Sequence, residues 1–475
     1  MRRGLASGLS GGFTLSFPGL APGMLGRMEN VTMPGGRRRA AWYAAFAVYA
    51  AGVALFSGPG LDHWWGAFAA AGYAAAAVIA LAAAGRPGPW QARGGALAVV
   101  AALAGALAGP AAWLMTREPT PPDVAVVARS GMLLLHHGTP YLPAAALSAG
   151  GWLAYNPYLP VMALFGLPGA LGLPGKTWPW LIAATFLLLY ATFRVTLGPE
   201  GSASQGSEPE GIGQRGPGRR AALGHAAFWL ACPIMAFPLT MGITDPPVIA
   251  LTCLALALLA RGGRLAPCRA RGRDMALAAF VLGVACAMKY TAWPALAVIA
   301  VMIARRDGVR SAIRFTAGAL ATAVALVAAL APAALRHPAA IAQNTVAYPL
   351  GLTSAKSPAQ SPLPGHLLAT LGPAGHLAAL VLLAAAGLAI VESLVIAPPV
   401  TPAAAARRIA IGLSALFLLS PATRFGYFIY PIALYAWAML AGRVRARAAA
   451  SSSRDLAGAF LHEDERAGEP AEVTR

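Results

Sequence analysis

Asp123 lies between Arg117 and Arg129 and is followed by His136, His137 and Tyr141. An acid, two guanidiniums and several hydrogen-bonding side chains thus fall in one short stretch of an otherwise apolar chain. A carboxylate so placed can accept a proton from an attacking hydroxyl, the work of a general base. Other polar residues stand alone in distant stretches: Thr244 and Asp245 in Gly242-Ile-Thr-Asp-Pro-Pro247, Lys289 and Tyr290 in Ala287-Met-Lys-Tyr-Thr291, and Arg424 in Ser420-Pro-Ala-Thr-Arg-Phe-Gly-Tyr427. Lys289, Lys356 and Arg424 suit an anionic phosphate, which Arg can grip through two N–H donors. One base for an attacking group and cations for a departing phosphate make a plausible division of labour for group transfer. Direct displacement with a single base inverts the reacting centre.

Membrane-spanning helices must position these residues. The 475-residue chain is 58% hydrophobic and 11% charged, with a mean hydropathy of +0.62, which excludes a soluble domain of this size. A helix crossing a ~30 Å hydrocarbon core needs about 20 residues. Runs 42–56, 65–84, 95–115, 178–197, 315–335 and 366–391 meet or approach that length. Shorter runs, 222–239, 246–260, 275–288, 293–304, 409–419 and 427–440, read as paired helices bent around a polar cavity. The fold expected is all-α and polytopic, with about 12 spans.

The net charge of +19 would fit nucleic acid, but the arginines sit in short segments between apolar runs and act as topology signals, so no nucleic-acid partner is expected. With residues 1–40 in the cytoplasm, Arg86, Arg93, Arg219, Arg261, Arg271, Arg305, Arg407 and Arg443 all fall on that side. The expectation is a multi-pass cell-membrane protein with both termini cytoplasmic. Asp62, Asp123, Asp245, Lys289 and Arg424 then share the outer face.

Three regions follow: a disordered cytoplasmic extension (1–40), a transmembrane domain (41–441) and a disordered cytoplasmic tail (442–475). The loop 198–218, rich in Gly, Ser, Glu and Arg, reads as disordered too. Residues 1–36 lack the continuous apolar core of a cleavable signal, and Met24, Met28 and Met33 are alternative starts. Between Leu153 and Leu197, the run 157–173, broken by Pro160 and Pro168, reads as a re-entrant or interfacial piece before one span. Cys232, Cys253, Cys268 and Cys286 have no metal or redox spacing.

The stretch Asp123-Val-Ala-Val-Val-Ala-Arg-Ser-Gly-Met-Leu-Leu-Leu-His-His-Gly-Thr-Pro-Tyr141 resembles the first-loop signature of the GT-C membrane glycosyltransferases, especially glycosyltransferase family 87. Tyr155-Asn-Pro-Tyr-Leu-Pro160, Gly242-Ile-Thr-Asp245, Gly283-Val-Ala-Cys-Ala-Met-Lys289 and Ser420-Pro-Ala-Thr-Arg424 extend the similarity over roughly residues 40–441. The resemblance implies an inverting transferase that moves a sugar, mannose first among them, from a polyprenyl-phosphate donor to a lipid-linked or envelope glycan acceptor at the outer face. It makes Asp123 the catalytic base; Lys289, Arg424 and Lys356 are the candidate phosphate ligands by their charge, and Arg129, Tyr141, Tyr155, Asn156, Thr244, Asp245 and Tyr290 the candidate substrate contacts. No cofactor or metal is implied.

Other readings stay open. Asp62, in Gly58-Pro-Gly-Leu-Asp-His63, is a rival base. Asp245 and Lys289 also fit ordinary turn residues in water, and Tyr141, Trp152, Tyr155 and Tyr158 fit an interfacial aromatic belt. His63, His136 and His137 lack the acid spacing of a metal site. A transporter or lipid flippase would use polar tips and broken helices as well, and a non-catalytic scaffold would keep the fold alone.

Overall fold

The computed structural model describes residues 35–86, 89–116, 120–173, 177–198, 217–261, 268–336 and 338–467. Expectations for the extension before residue 35, for 199–216 and 468–475, and for Arg117 lie outside them. Alanine-rich apolar stretches make the helices, and proline opens many of them, where its missing N–H has no intrahelical partner to lose.

Helices α1 (Gly36–Phe56), α2 (Leu61–Ala84) and α3 (Pro89–Met115) form a first bundle around buried Tyr43, Trp65 and Tyr73. The shorter α4 (Pro122–His137) carries Asp123 in its first turn, and α5 (Trp178–Leu197) follows. Helices α6 (Pro217–Ala231) and α7 (Pro233–Thr240) meet at 63° across Cys232. The remainder comprises α8 (Asp245–Arg261), α9 (Cys268–Met288), α10 (Trp293–Asp307), α11 (Val309–Leu330), α12 (Pro373–Ile396), α13 (Pro402–Leu419) and α14 (Ile429–Ala467).

The protein is an all-α polytopic membrane protein. Among the described residues, eight helices are long and apolar enough to cross a membrane, and the bent α6–α7 pair brings the number to nine. Helices α8, α9 and α10 are shorter or more charged than that measure allows. Helix α8 is apolar on every side and buried from Asp245 to Leu259, the pattern of an interior helix. Helices α5, α9, α13 and α14 pack about it. At one end of α8, Arg261 pairs with Asp274 at 2.6 Å, and nearby Arg306 pairs with Asp307 at 2.7 Å. At its other end stand Asp245 and Lys289, separated from the first group by the length of a 17-residue helix, about 25 Å.

The run 157–173 is a pair of short turns, Pro160–Phe165 and Leu167–Ala170, seated against α4. Gly166 permits that seat: a Cβ there would stand 2.1 Å from the Val127 carbonyl oxygen. Helix α14 continues to Ala467; residues 443–450 are Ala- and Arg-rich and hold neither Gly nor Pro, which favours helix through that stretch. The run 315–335 divides at Ala331, before Pro332, and 366–391 divides before Pro373.

Candidate functional site

A cavity of about 530 Å³ opens at the Asp245 end of α8. Its wall includes Asp123, Tyr155, Tyr158, Asp245, Lys289, Tyr290, Arg424 and Tyr427. These come from the start of α4, the 152–158 loop, the start of α8, the turn between α9 and α10, and the turn before α14. All but α4 and its loop are ends of long helices. A polar residue between two apolar runs is thereby held at a fixed depth.

The floor carries a buried ion pair. Lys289 Nζ bonds Asp245 Oδ1, and the residues are 7% and 1% exposed. Tyr430 Oη also donates to Asp245 Oδ1 at 2.7 Å, and Thr291 Oγ1 donates to Tyr430 Oη at 2.8 Å. The Lys289 ammonium sits 5.4 Å from the Tyr158 ring centre and 5.5 Å from that of Tyr427, so cation–π contacts add to the pair. The α8 N-terminus further favours the Asp245 carboxylate. Gly242, at φ +70°, turns the chain into this helix, and a Cβ there would meet the Val124 side chain at 2.0 Å.

Above the floor, Tyr158 Oη donates to Asp123 Oδ1 at 2.5 Å, and Arg424 Nη1 lies 3.4 Å from Asp123 Oδ2. The Asp123 and Arg424 side chains remain 24% and 32% exposed, respectively. Burial, then the adjacent Asp123 charge, pushes the Tyr158 phenol well above its ordinary value, so it is a hydrogen-bond donor at neutral pH. Burial pulls the Arg424 guanidinium down, but Asp123 with Tyr427 and Tyr158 outweighs it and leaves the group above its ordinary value. The cavity therefore offers a partly exposed carboxylate with a fixed donor on one oxygen and a permanent cation on the other.

Of the residues expected to bind or react, Asp123, Tyr155, Asp245, Lys289, Tyr290 and Arg424 share this wall. Tyr155 stacks on Tyr348, with centroids 4.6 Å apart and planes 9° from parallel. Three others brace the wall from behind. Arg129 donates to the carbonyls of Leu153 at 2.5 Å and Ala154 at 3.1 Å, and Tyr141 Oη donates to the Tyr158 carbonyl at 2.9 Å. Asn156 donates through Nδ2 to Ser130 Oγ and the Pro140 carbonyl, while its Oδ1 accepts from Tyr158 N–H. Thr244 is buried beside Asp245. Lys356 is exposed and outside the wall, as are His136, His137 and Asp62.

Tyr158, a belt residue by its sequence, bonds Asp123; Tyr430, within an apolar run, bonds Asp245; and Asn344, outside the sequence motifs, accepts through Oδ1 from Asn156 N–H at 2.7 Å. The polar run Gln343-Asn-Thr345 between apolar residues was the available signal. No family model, curated protein or solved structure matches this chain.

Proposed function

We propose that the chain is an inverting membrane glycosyltransferase of GT-C type with about 12 spans. In this reading it transfers a sugar, mannose first among the candidates, from a polyprenyl phosphate to a lipid-linked or envelope acceptor at the outer face. The observation that carries the reading is the meeting of Asp123 and Arg424, 301 residues apart in sequence, in the wall of one aromatic-lined cavity. The Asp123 carboxylate takes the proton of the acceptor hydroxyl as its oxygen bonds the anomeric carbon. The bond from that carbon to the phosphate oxygen breaks, and the polyprenyl phosphate leaves with the electron pair, its charge held by Arg424. Lys289 is already paired with Asp245, so its part is to shape the floor. Tyr155, Tyr158 and Tyr290 line the same wall, and aromatic lining suits a sugar ring.

The test compares membranes containing wild-type chain or Asp123→Asn at equal expression, supplied with radiolabelled polyprenyl-phosphate-mannose. Asp123→Asn is expected to lower transfer to lipid acceptors by about 10²- to 10⁴-fold, the usual worth of a general base. Unchanged transfer would sink the assignment. The buried Asp245–Lys289 pair favours a second reading, transport or lipid flipping, because intramembrane charge pairs mark ion and substrate pathways. That reading requires substrate movement across the bilayer to stop when either residue is neutralised while Asp123→Asn leaves it intact.

A further inference from the structure

Asp123 is held from two sides by unlike partners. On Oδ1 it has the Tyr158 hydroxyl at 2.5 Å, from a residue that is itself buried. On Oδ2 it has Arg424 at 3.4 Å, from a side chain one-third exposed. A strong charge-assisted N–H···O contact closes to about 2.7–2.9 Å, so the Arg424 contact is a loose one. The Arg424 backbone, in contrast, is pinned: Ser361 N–H donates to the Thr423 carbonyl at 3.0 Å, Thr423 N–H to the Ala359 carbonyl at 2.9 Å, and Phe425 N–H to Ser361 Oγ at 3.1 Å. A fixed backbone with a half-free guanidinium suits a cation that changes partners without moving its loop.

Arg424 has no uncommitted rival cation among the lining residues. Lys289 is consumed by Asp245 in the floor, and Lys356 stands outside the wall. Tyr348 and Tyr427 line the wall as phenols.

We propose that Arg424 is shared between Asp123 and a phosphate group of the ligand. A phosphate that takes the guanidinium frees Asp123 Oδ2 to accept a proton, while Tyr158 keeps Oδ1 in place. Asp123 then competes with the anion it serves, and activation of the acceptor follows anion binding. This inference rests on the reading that a phosphate-bearing ligand enters the cavity, but it does not depend on sugar transfer.

The experiment measures binding to the full-length chain in nanodiscs, with a long-chain polyprenyl monophosphate in one arm and inorganic phosphate in the other. Asp123→Asn is expected to bind about tenfold tighter than wild type, equivalent to ~1.4 kcal/mol. Arg424→Gln is expected to bind at least about tenfold weaker, and the double variant to match Arg424→Gln. Arg424→Lys, which keeps the charge, retains most of the binding and separates loss of the cation from loss of fold. Tightening with the lipid probe alone assigns a lipid phosphate; tightening with both assigns a site open to free phosphate. Equal affinities for Asp123→Asn and wild type, or affinity indifferent to Arg424, would overturn the proposal. Absent sugar transfer alongside the expected binding pattern would reject the glycosyltransferase reading and leave this one standing.

Discussion

Neutralising one member of the Lys289–Asp245 pair is the most severe single change the site offers. The two residues are 7% and 1% exposed, so the pair is largely shielded from water. In Lys289→Met the Asp245 carboxylate keeps only the Tyr430 hydroxyl on Oδ1. In Asp245→Asn the ammonium keeps the faces of Tyr158 and Tyr427, worth about 0.5–2 kcal/mol. Removing one partner of a buried pair costs about 3–5 kcal/mol, chiefly through the charge left behind. Asp245→Asn/Lys289→Met leaves no orphaned charge, so it is expected to be less destabilised than the sum of the two single variants, with a coupling of about 2 kcal/mol or more. The assay is reversible unfolding in mixed micelles, followed by tryptophan fluorescence, for the four members of the cycle. Single variants within about 1 kcal/mol of wild type, or strictly additive losses, would refute the claim that the pair is desolvated and mutually dependent.

Tyr158→Phe removes one hydroxyl from Asp123 and little else; transfer is expected to fall about tenfold or more, from the loss of a charged hydrogen bond worth ~1.5–3 kcal/mol, as initial rates at saturating donor would report. Gly166→Ala forces a Cβ into the Val127 carbonyl and is expected to destabilise by about 1–3 kcal/mol, measured as a lower midpoint in the same unfolding assay. Burial holds Tyr141, Tyr158, Tyr290 and Tyr348 above the ordinary phenol range. Groups that ionise more readily when unfolded leave stability flat below pH ~10 and lower it above that value. Melting temperatures recorded from pH 8 to 11.5 are expected to fall only at the alkaline end; a decline beginning near pH 8 would contradict this.

Composition and run length establish the membrane class, because apolar runs of spanning length admit few soluble alternatives, and they mark Asp123, Asp245, Lys289 and Arg424 as polar residues at the ends of such runs. An end position is a local property: the run length sets the depth, and the surrounding Gly and Pro set the turn. Which residues meet is a matter of packing. Asp123 and Arg424 are far apart in the chain, as are Lys289 and Asp245, and only helix packing around the buried α8 brings each pair together. The same packing separated Lys356 from the cavity and turned Arg129, Tyr141 and Asn156 into braces, since side-chain type indicates what a residue can bond but not which partner lies within reach. Ala- and Arg-rich residues 443–450 prolong a helix already nucleated in the bundle, where adding each residue needs no new nucleus, and that nucleus is a tertiary feature.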